Sequence, residues 1–488
     1  MSNLEESGIF IVEPGANAQA RSDATPGVVV PVVQGPARDA AVSPLLTGNL
    51  RWQLFLLALP SLGEQLLNSM VANVDAWLAG NLSRDATNAV GFSVYISWLV
   101  GMIFIAVGAG ASAVVARSIG AGKRGEARTA LSQALGVAVM AGAIATVTIA
   151  SSAGWIAWLV WGDQGPAEPM RQFLRIEAIG HLFASILFIG NGCIRASGDT
   201  RTPLYTMVAV NLWNVAVAST LVHVFGLGVQ GIAIGTATAR ALGGALTLAV
   251  LLSNRTKVRL NVRRTRPERQ WIGRLVRIGV PAALDSGSFW IVQVIFVTII
   301  KHTSGAFNGE VNFAAHVIGL RVESLSYMPA MAWAIAGGAL MGQCLGAGLS
   351  DRARRVGYEA CLQGGVLITL MGFVYFFLPR FIFSIFTKDA EVIAAGVPAM
   401  KVLAFIQPFL AVWIILGGCL RGTGDTKVPF LVTLACGFLV RLPIGYVGGI
   451  YLNGGLIGAW AGMCIDILVR TVLFVARFVH GGWQRVRV

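Results

Sequence analysis

Two carboxylates stand inside one long apolar stretch of the sequence, between residues 52 and 82. They are Glu64 and Asp75, and Pro60 precedes the first of them by four residues. An acid near the middle of a bilayer costs about 2.5–3.5 kcal/mol on insertion scales, so an acid in such a stretch usually has a function. On a helix, their spacing places both carboxylates on one face, about 20° apart and roughly 16 Å apart along the axis. We therefore predict two groups that bind a proton or Na⁺ at two depths of one membrane helix, with a looser backbone near Pro60.

The composition of the chain is that of a membrane protein. The 488 residues are 55% hydrophobic and only 12% charged, with a mean hydropathy of +0.70, whereas a soluble chain carries about 25% charged residues. The net charge of +14 is concentrated in short loops between apolar segments, as the positive-inside rule expects, so we exclude a nucleic-acid partner. The six cysteines show no metal-ligand or redox spacing, and we expect small buried side chains and no metal site.

Twelve apolar segments predict an all-α polytopic membrane protein. Six segments precede a basic stretch and six follow it, which predicts a disordered tail (1–48), a first six-helix bundle (49–253), a basic linker (254–277), a second bundle (278–480) and a short tail (481–488). The loops rich in Arg and Lys alternate with poorer ones, which places both termini in the cytoplasm. The predicted spans are 52–80, 88–118, 127–161, 170–193, 203–224, 228–253, 279–302, 312–345, 353–379, 391–419, 428–450 and 454–479.

The two halves of the sequence repeat each other. Residues 119–128 match 345–354, and residues 193–203 match 419–429, both at an offset of 226. Residues 59–64 match 280–285 at an offset of 221. Each repeat has an even number of spans, so the copies are parallel, as in transporters that rock two halves about a central site. Since the sequence has no ATP-binding motif, we expect transport to be driven by an ion gradient or to be passive.

The candidate acids differ between the repeats. Glu64 and Asp285 are equivalent, whereas the position equivalent to Asp75 is Phe296. For Asp75 we favour a carboxylate that loads and releases a proton or Na⁺ over a structural acid bonded across helices. Asp466 has Arg470 four residues later, which favours a satisfied ion pair.

Several polar residues in the spans have two interpretations. Asn211 and Asn214 share a face of the fifth span, and their amides fit either a cation beside a carboxylate or hydrogen bonds between helices. His316 and Glu323 share a face of the eighth span, where we favour a buried structural network over a proton relay. The fourth span carries three groups that we expect to be interfacial or paired: Arg175, Glu177 and His181.

Aromatic side chains are the candidates for the wall of a substrate cavity. Aromatic faces attract organic cations, although most single tryptophans in membrane proteins pack or anchor at the interface. The cavity candidates are Trp77, Trp213, Phe289, Trp290 and Tyr327. Together with the acids, they favour a lipophilic cation over a sugar or an anion.

Six motifs of the sequence resemble the multidrug and toxic compound extrusion (MATE) family, in particular its DinF-like branch. The resemblance covers about residues 50–480. The motifs are VDAWLAG (74–80), GASAVVARSIGAGKRGEA (110–127), IRASGDTRTP (194–203), PAALD (281–285), AAHVIGLRVESLSYMPAMA (314–332) and LRGTGDTKVP (420–429). It implies two six-helix bundles that form a V around a central cavity, and cation-coupled antiport of drugs or metabolites.

The resemblance also assigns residues. Asp75 and Asn214 match the first-lobe cation site of the family, but Ala218 stands where many members carry a second acid. Asp285 and Glu323 match acidic positions of the second lobe. If the missing acid weakens the first-lobe site, these second-lobe acids, with His316, gain weight as coupling or substrate groups.

These observations predict a transporter and not an enzyme. We expect a monomeric secondary antiporter of the inner membrane that exports a small molecule, in exchange for H⁺ or Na⁺, with no other cofactor. The proton is favoured because the sequence shows no full set of sodium ligands. The alternatives are a flippase for a lipid-linked precursor, an exporter of organic acids such as citrate, and a receptor or scaffold that does not transport.

Overall fold

The computed structural model describes residues 44–253, 256–486 and 488. The described residues contain twelve helices that are long and apolar enough to cross a membrane, and no β-strand. This confirms the predicted all-α membrane architecture. The helices, named here in chain order, are α1 (Leu50–Leu82), α2 (Arg84–Gly120), α3 (Arg124–Trp161), α4 (Ala167–Ala196), α5 (Arg201–His223), α6 (Gly228–Leu252), α7 (Arg269–Lys301), α8 (Gly309–Gly346), α9 (Ser350–Phe377), α10 (Ala390–Gly422), α11 (Lys427–Tyr451) and α12 (Gly455–His480).

Local sequence signals explain where several helices begin. Asn49 caps α1, because its side-chain oxygen accepts hydrogen bonds from the backbone N–H groups of Arg51 and Trp52. Asp389 caps α10 in the same way. Pro60 and Pro281 lie inside α1 and α7 at matching places of the repeat.

The starts of α1 and α7 pack against the opposite half of the molecule. Leu54, Leu57 and Ala58, near the start of α1, belong to a core that is otherwise built from the second half and from Leu46. Leu275 and Ile278 of α7 belong to a core of the first half. The first turns of α1 therefore pack against the second half, and those of α7 against the first half, whereas the last turns of each helix pack within its own half.

The division into lobes at 49–253 and 278–480 stays a prediction, because the described residues form one compact unit. Two boundaries differ from expectation. Pro44–Thr47 form a short helix in which Leu46 is buried, so disorder is wrong for this part of the predicted tail 1–48. Residues 1–43 lie outside the described residues. Helix α7 begins at Arg269, inside the predicted linker 254–277, because apolar residues already face the core there.

Helix α11 differs from the other eleven. Two segments of it are π-helical, Gly437–Arg441 and Val447–Tyr451. Wide turns of this kind occur often at functional sites, and the first of them ends at the buried Arg441.

Candidate functional site

Asp75 lies in a buried polar network between α1, α5 and α6. Its side chain is 5% exposed. The hydroxyl of Thr236 donates to Asp75 Oδ2 at 2.7 Å, and the amide of Asn214 lies 3.5 Å from Asp75 Oδ1. The same amide donates to Thr236 at 3.0 Å, while Asn214 Oδ1 is buried without a partner. The network thus surrounds one carboxylate with neutral groups, and no Lys, Arg or His nitrogen of the described residues lies within 4.0 Å of it.

The helix packing beside this network explains why no second acid stands at position 218. Ala218 of α5 is fully buried, and a Cβ added at Gly235 of α6 would lie 2.5 Å from the Ala218 Cβ. The backbones of α5 and α6 therefore approach closely here, and a carboxylate at position 218 has no room. The close approach also brings together Asn214, which lies one turn before Ala218, and Thr236, which directly follows Gly235.

The structure does not bring all of the predicted cation ligands to Asp75. Asn211 donates to the backbone oxygen of Met207, one turn earlier in its own helix, at 2.9 Å. Glu64 forms an ion pair with Arg195. Of the predicted set, only Asn214 joins Asp75. Sequence reasoning missed Thr236, because a threonine in an apolar helix carries no signal of its own.

A second buried polar cluster lies one helical turn away. Glu177 of α4 accepts a hydrogen bond from Ser97 of α2 at 2.7 Å, and Arg240 of α6 lies 2.8 Å from the same carboxylate oxygen. Glu177 is 3% exposed, so the prediction of a paired group is confirmed and an interfacial position is wrong. His181 is also buried, with Nε2 unpartnered, whereas Arg175 is exposed. Arg240 was not among the candidates.

Each half contains one of two equivalent ion pairs. Glu64 pairs with Arg195, and Asp285 pairs with Arg421 at 2.9 Å. The predicted spans 170–193 and 391–419 end before these two arginines, but both occupy the last turns of their helices, α4 and α10. There they neutralise the two acids that follow the helix prolines.

A cavity of about 580 Å³ lies between the two halves. Its charged lining groups are Arg195, Asp285 and Arg421. The walls come from α2, α4, α7, α8, α10 and α11, and the aromatic lining residues are Trp98, Phe289, Trp290, Tyr327 and Trp413. The cavity is therefore an apolar, aromatic chamber with two arginines that already have acidic partners.

The aromatic candidates divide between the cavity and the surface. The rings of Trp98 and Trp290 lie 4.7 Å apart across the halves, and both line the cavity with the predicted Phe289 and Tyr327. Trp77 and Trp213 lie outside this cavity and are 62% and 45% exposed. Helical periodicity alone cannot tell a face that lines a cavity from one that meets lipid.

One end of the cavity is closed by contacts between the halves. Arg117 donates to the backbone oxygen of Thr423 at 2.8 Å, and Gln343 donates to that of Ala196 at 2.7 Å. A Cβ at Gly120 would lie 1.9 Å from the backbone oxygen of Gln343. These contacts lie where α2, α4, α8 and α10 end, which is the side predicted to be cytoplasmic.

The second half has a buried cation where the first half has Asp75. The guanidinium of Arg441 lies 4.5 Å from the ring centroid of Phe296 and donates to Gln293 at 2.9 Å. Glu323 is half-buried and lies within electrostatic range of Arg441. His316 accepts a hydrogen bond from the indole of Trp460 at 3.1 Å.

Two other predictions concern structural groups. Asp466 and Arg470 are both buried and pair at 2.7 Å, which confirms the predicted ion pair. The six cysteines are free. Among the described residues, no group of three or more His, Cys, Asp or Glu side chains could hold a metal ion.

In the part of the chain that the structure describes, twelve helices long and apolar enough to cross a membrane surround a cavity between two repeated halves, as expected for a membrane transporter. The sequence profile of the MatE family matches residues 60–220 and 281–447. The chain belongs to this family, whose members are transporters and not enzymes.

Curated relatives and solved structures agree with this assignment. A probable multidrug resistance protein NorM of Thermotoga maritima is 29% identical over 90% of this chain and 94% of its own length. The protein DETOXIFICATION 44, chloroplastic, of Arabidopsis thaliana is 27% identical over 90% and 82%. A crystal structure of MATE in complex with MaL6 matches with a TM-score of 0.83 at 19% identity, over 91% of this chain and 98% of that one.

A further similar solved structure is that of a MOP superfamily transporter from Pyrococcus furiosus, whose binding pocket is of reverse polarity. It matches with a TM-score of 0.82 at 19% identity, over 92% of this chain and 99% of that one. The fold is therefore shared by proteins with different pockets. The assignment to the DinF-like branch stays a prediction.

Proposed function

We propose that this protein is a proton-coupled antiporter of the inner membrane that exports organic cations from the cytoplasm. The observation that carries the proposal is the Asp75 network. An isolated carboxylate in a low-dielectric site is costly while it is ionised, and Asp75 has neutral partners only. Binding a proton removes that cost, and a change in the surroundings of Asp75 that favours the ionised carboxylate releases the proton again. Asp75 is therefore suited to load a proton on one side of the membrane and release it on the other.

The ligand set favours H⁺ over Na⁺. The oxygens at this site come from the Asp75 carboxylate and the hydroxyl of Thr236, whereas Asn214 faces Asp75 with its amide nitrogen, which is a donor. The second carboxylate that would strengthen sodium binding is replaced by Ala218. A proton needs only one oxygen, so the lost acid does not prevent proton coupling.

The cavity supports an organic cation as the substrate. Its aromatic rings offer faces to a flat, positively charged molecule, and Asp285 has one buried oxygen, Oδ1, without a partner. Names of relatives such as multidrug resistance protein NorM point in the same direction. Arg195 and Arg421 also line the cavity, which keeps an organic acid or a lipid-linked precursor as the alternative substrates.

Coupling between the two sites requires movement, because Asp75 lies outside the cavity lining. Helix α1 connects them: its start packs against the second half, and Asp75 lies beyond Pro60 on the same helix. We propose that protonation of Asp75 from outside shifts α1 near Pro60 and favours release of the substrate. The closed end of the cavity is the cytoplasmic end, so the arrangement is outward-facing, and both termini are cytoplasmic. A single copy of the chain suffices for this cycle.

The test uses purified protein in liposomes and a fluorescent organic cation such as ethidium. A proton gradient and a sodium gradient are imposed separately. We expect efflux with the proton gradient only. Asp75→Asn should lower it about 100-fold or more, equivalent to about 2.7 kcal/mol, because the amide cannot take up a proton.

Glu310→Gln is the matched control, since Glu310 is an exposed acid at the start of α8. It should transport like the wild type. Undiminished efflux by Asp75→Asn would remove Asp75 from the mechanism. Transport of a fluorescent organic anion, and of no cation, would favour the alternative substrates.

A further inference from the structure

The cluster of Glu177 and Arg240 lies beside the Asp75 network, and the preceding mechanism leaves it without a role. Thr236 and Arg240 are one turn apart on α6, about 6 Å along the axis. Thr236 holds Asp75 at 2.7 Å, and Arg240 lies 2.8 Å from Glu177. Helix side chains lean toward the N-terminus of their helix, so the stem of Arg240 leans toward Thr236. Asp75 lies within electrostatic range of both Glu177 and Arg240.

The pair of Glu177 and Arg240 is not locked. The Nη1 atom of Arg240 is near Glu177 Oε1 but makes no aligned hydrogen bond, and Glu177 Oε2 is buried without a partner. A hydroxyl, that of Ser97, already donates to Glu177 Oε1. The side chain of Arg240 is 22% exposed, compared with 4% for that of Glu177. Arg240 is thus the less buried partner of the pair, and its Nη1 has no hydrogen-bond partner.

We propose that Arg240 is a tethered counter-ion that alternates between Glu177 and Asp75 during the transport cycle. When Asp75 is ionised, the guanidinium of Arg240 moves by one helical turn toward the N-terminus of α6 and pairs with the Asp75 carboxylate. A proton from the outer water then binds the Asp75 carboxylate, and Arg240, which stays charged, returns to Glu177. The structure shows Arg240 beside Glu177. Release of the proton to the cytoplasmic water reverses the exchange.

This inference rests on the proposed function and adds a specificity-determining role to it. The family's usual second acid at position 218 is absent, and the arginine supplies a positive charge that is part of the chain. A site with a tethered cation has less need for a bound Na⁺ when its carboxylate is ionised. Arg240 therefore acts through Asp75 as a positioning residue that favours proton over sodium coupling.

The experiment compares Glu177→Gln with the double variant Glu177→Gln/Arg240→Gln. In the single variant, Arg240 has lost its alternative partner and stays on Asp75, so protons must compete with it. The outside pH for half-maximal ethidium efflux should fall by about one unit, a tenfold change in the required proton concentration. In the double variant no guanidinium competes, and this pH should rise above the wild-type value. A structural role would change the maximal rate without opposite shifts in pH.

The charged groups that act on Asp75 are Glu177 and Arg240. The histidines on α4, α5 and α6 are His181 on α4 and His223 on α5, whose ring meets that of Trp77 on α1. His181→Gln and His223→Gln serve as controls. Each should leave the half-maximal pH of the wild type unchanged, and a shift in either that equals the shift in Glu177→Gln would overturn the assignment to Arg240.

The outcomes separate the inference from the proposed function. Proton-driven efflux by the wild type, lost in Asp75→Asn, is required first, and its absence defeats the function itself. If that efflux is present, opposite shifts support the counter-ion, whereas equal or absent shifts overturn it. If Glu177→Gln does not assemble in the membrane, the double variant decides alone, because it leaves no unpaired charge. A rise in its half-maximal pH supports the inference, and an unchanged value overturns it.

Discussion

Positions 75 and 296 are equivalent in the repeat, and the two halves treat them in opposite ways. Asp75 is a carboxylate among neutral donors, with Thr236 at 2.7 Å. Phe296 is an aromatic ring with the guanidinium of Arg441 at 4.5 Å from its centroid. The first half therefore leaves a place for an exchangeable cation, whereas the second half holds a fixed one. The comparison indicates that ion coupling resides in the first half.

The helix prolines and the ion pairs that follow them are alike in the two repeats, which makes this difference more informative. The ion pairs Glu64–Arg195 and Asp285–Arg421 occupy equivalent places, as do Pro60 and Pro281. Duplication has kept the pairs that hold the helix ends together, while the sites deeper in each half have diverged. Retained ion pairs and prolines, together with a difference between positions 75 and 296, fit a transporter that couples to an ion in one half only.

The largest expected effect comes from moving the acid from one half to the other. In Asp75→Asn/Phe296→Asp, the new carboxylate lies beside Arg441 and is held by it as an ion pair. Proton-driven efflux should stay about 100-fold below the wild type, because Arg441 stays beside the new carboxylate and keeps it ionised. Phe296→Leu is the control for the lost ring and should keep efflux. Recovery in the double variant would contradict the assignment of coupling to the first half.

A smaller effect is expected from breaking the two equivalent ion pairs. Removing one partner of a buried pair costs about 3–5 kcal/mol. Glu64→Gln should approach the lower value, because its carboxylate side chain is only 4% exposed. Asp285→Asn should cost about 1 kcal/mol, since Arg421 is 28% exposed and solvent screens it.

The measurement for this pair is thermal unfolding in detergent, together with the KM for ethidium. Asp285→Asn should raise KM more than Glu64→Gln does, because of these two acids only Asp285 lines the cavity, whereas Glu64 acts there through its partner Arg195. Equal losses of stability with unchanged KM in both variants would show that Asp285 does not contribute to binding of ethidium in the cavity.

The smallest effect concerns the missing second acid. Ala218→Asp forces a carboxylate against the backbone of α6 at Gly235, and overpacking of this kind typically costs about 1–3 kcal/mol. Ala218→Ser is a smaller change at the same position and should unfold within a few degrees of the wild type. Wild-type stability of Ala218→Asp, with efflux driven by sodium, would show that the first half can accept the second acid after all.

The sequence predicted the fold well because the bilayer imposes it. Apolar length places twelve helices, and the repeat relates Pro60 to Pro281. The packing of the first turns of α1 and α7 against the opposite half was not predicted, since it depends on tertiary contacts of Leu54 and Leu275. Boundaries such as that of α7 were missed for the same reason.

The candidate site was predicted only in part. Acids in apolar segments are conspicuous, so Asp75 and Asp285 were found. Their partners were missed: Arg195 and Arg421 look like loop charges, and Arg240 carries no sign of its contact with Glu177. Side chains that meet across helices are set by azimuth and tilt, which a single sequence does not specify.

Proton release on substrate binding tests the role of Asp75 most directly. Ethidium is added to the purified protein in a weakly buffered detergent solution, and the pH change is recorded. Because binding of the proton and of the substrate are linked reciprocally, the wild type should release up to about one proton per molecule, and Asp75→Asn should release none while still binding ethidium. Equal release by the two proteins would contradict the account, since the exchanged proton would then belong to another group.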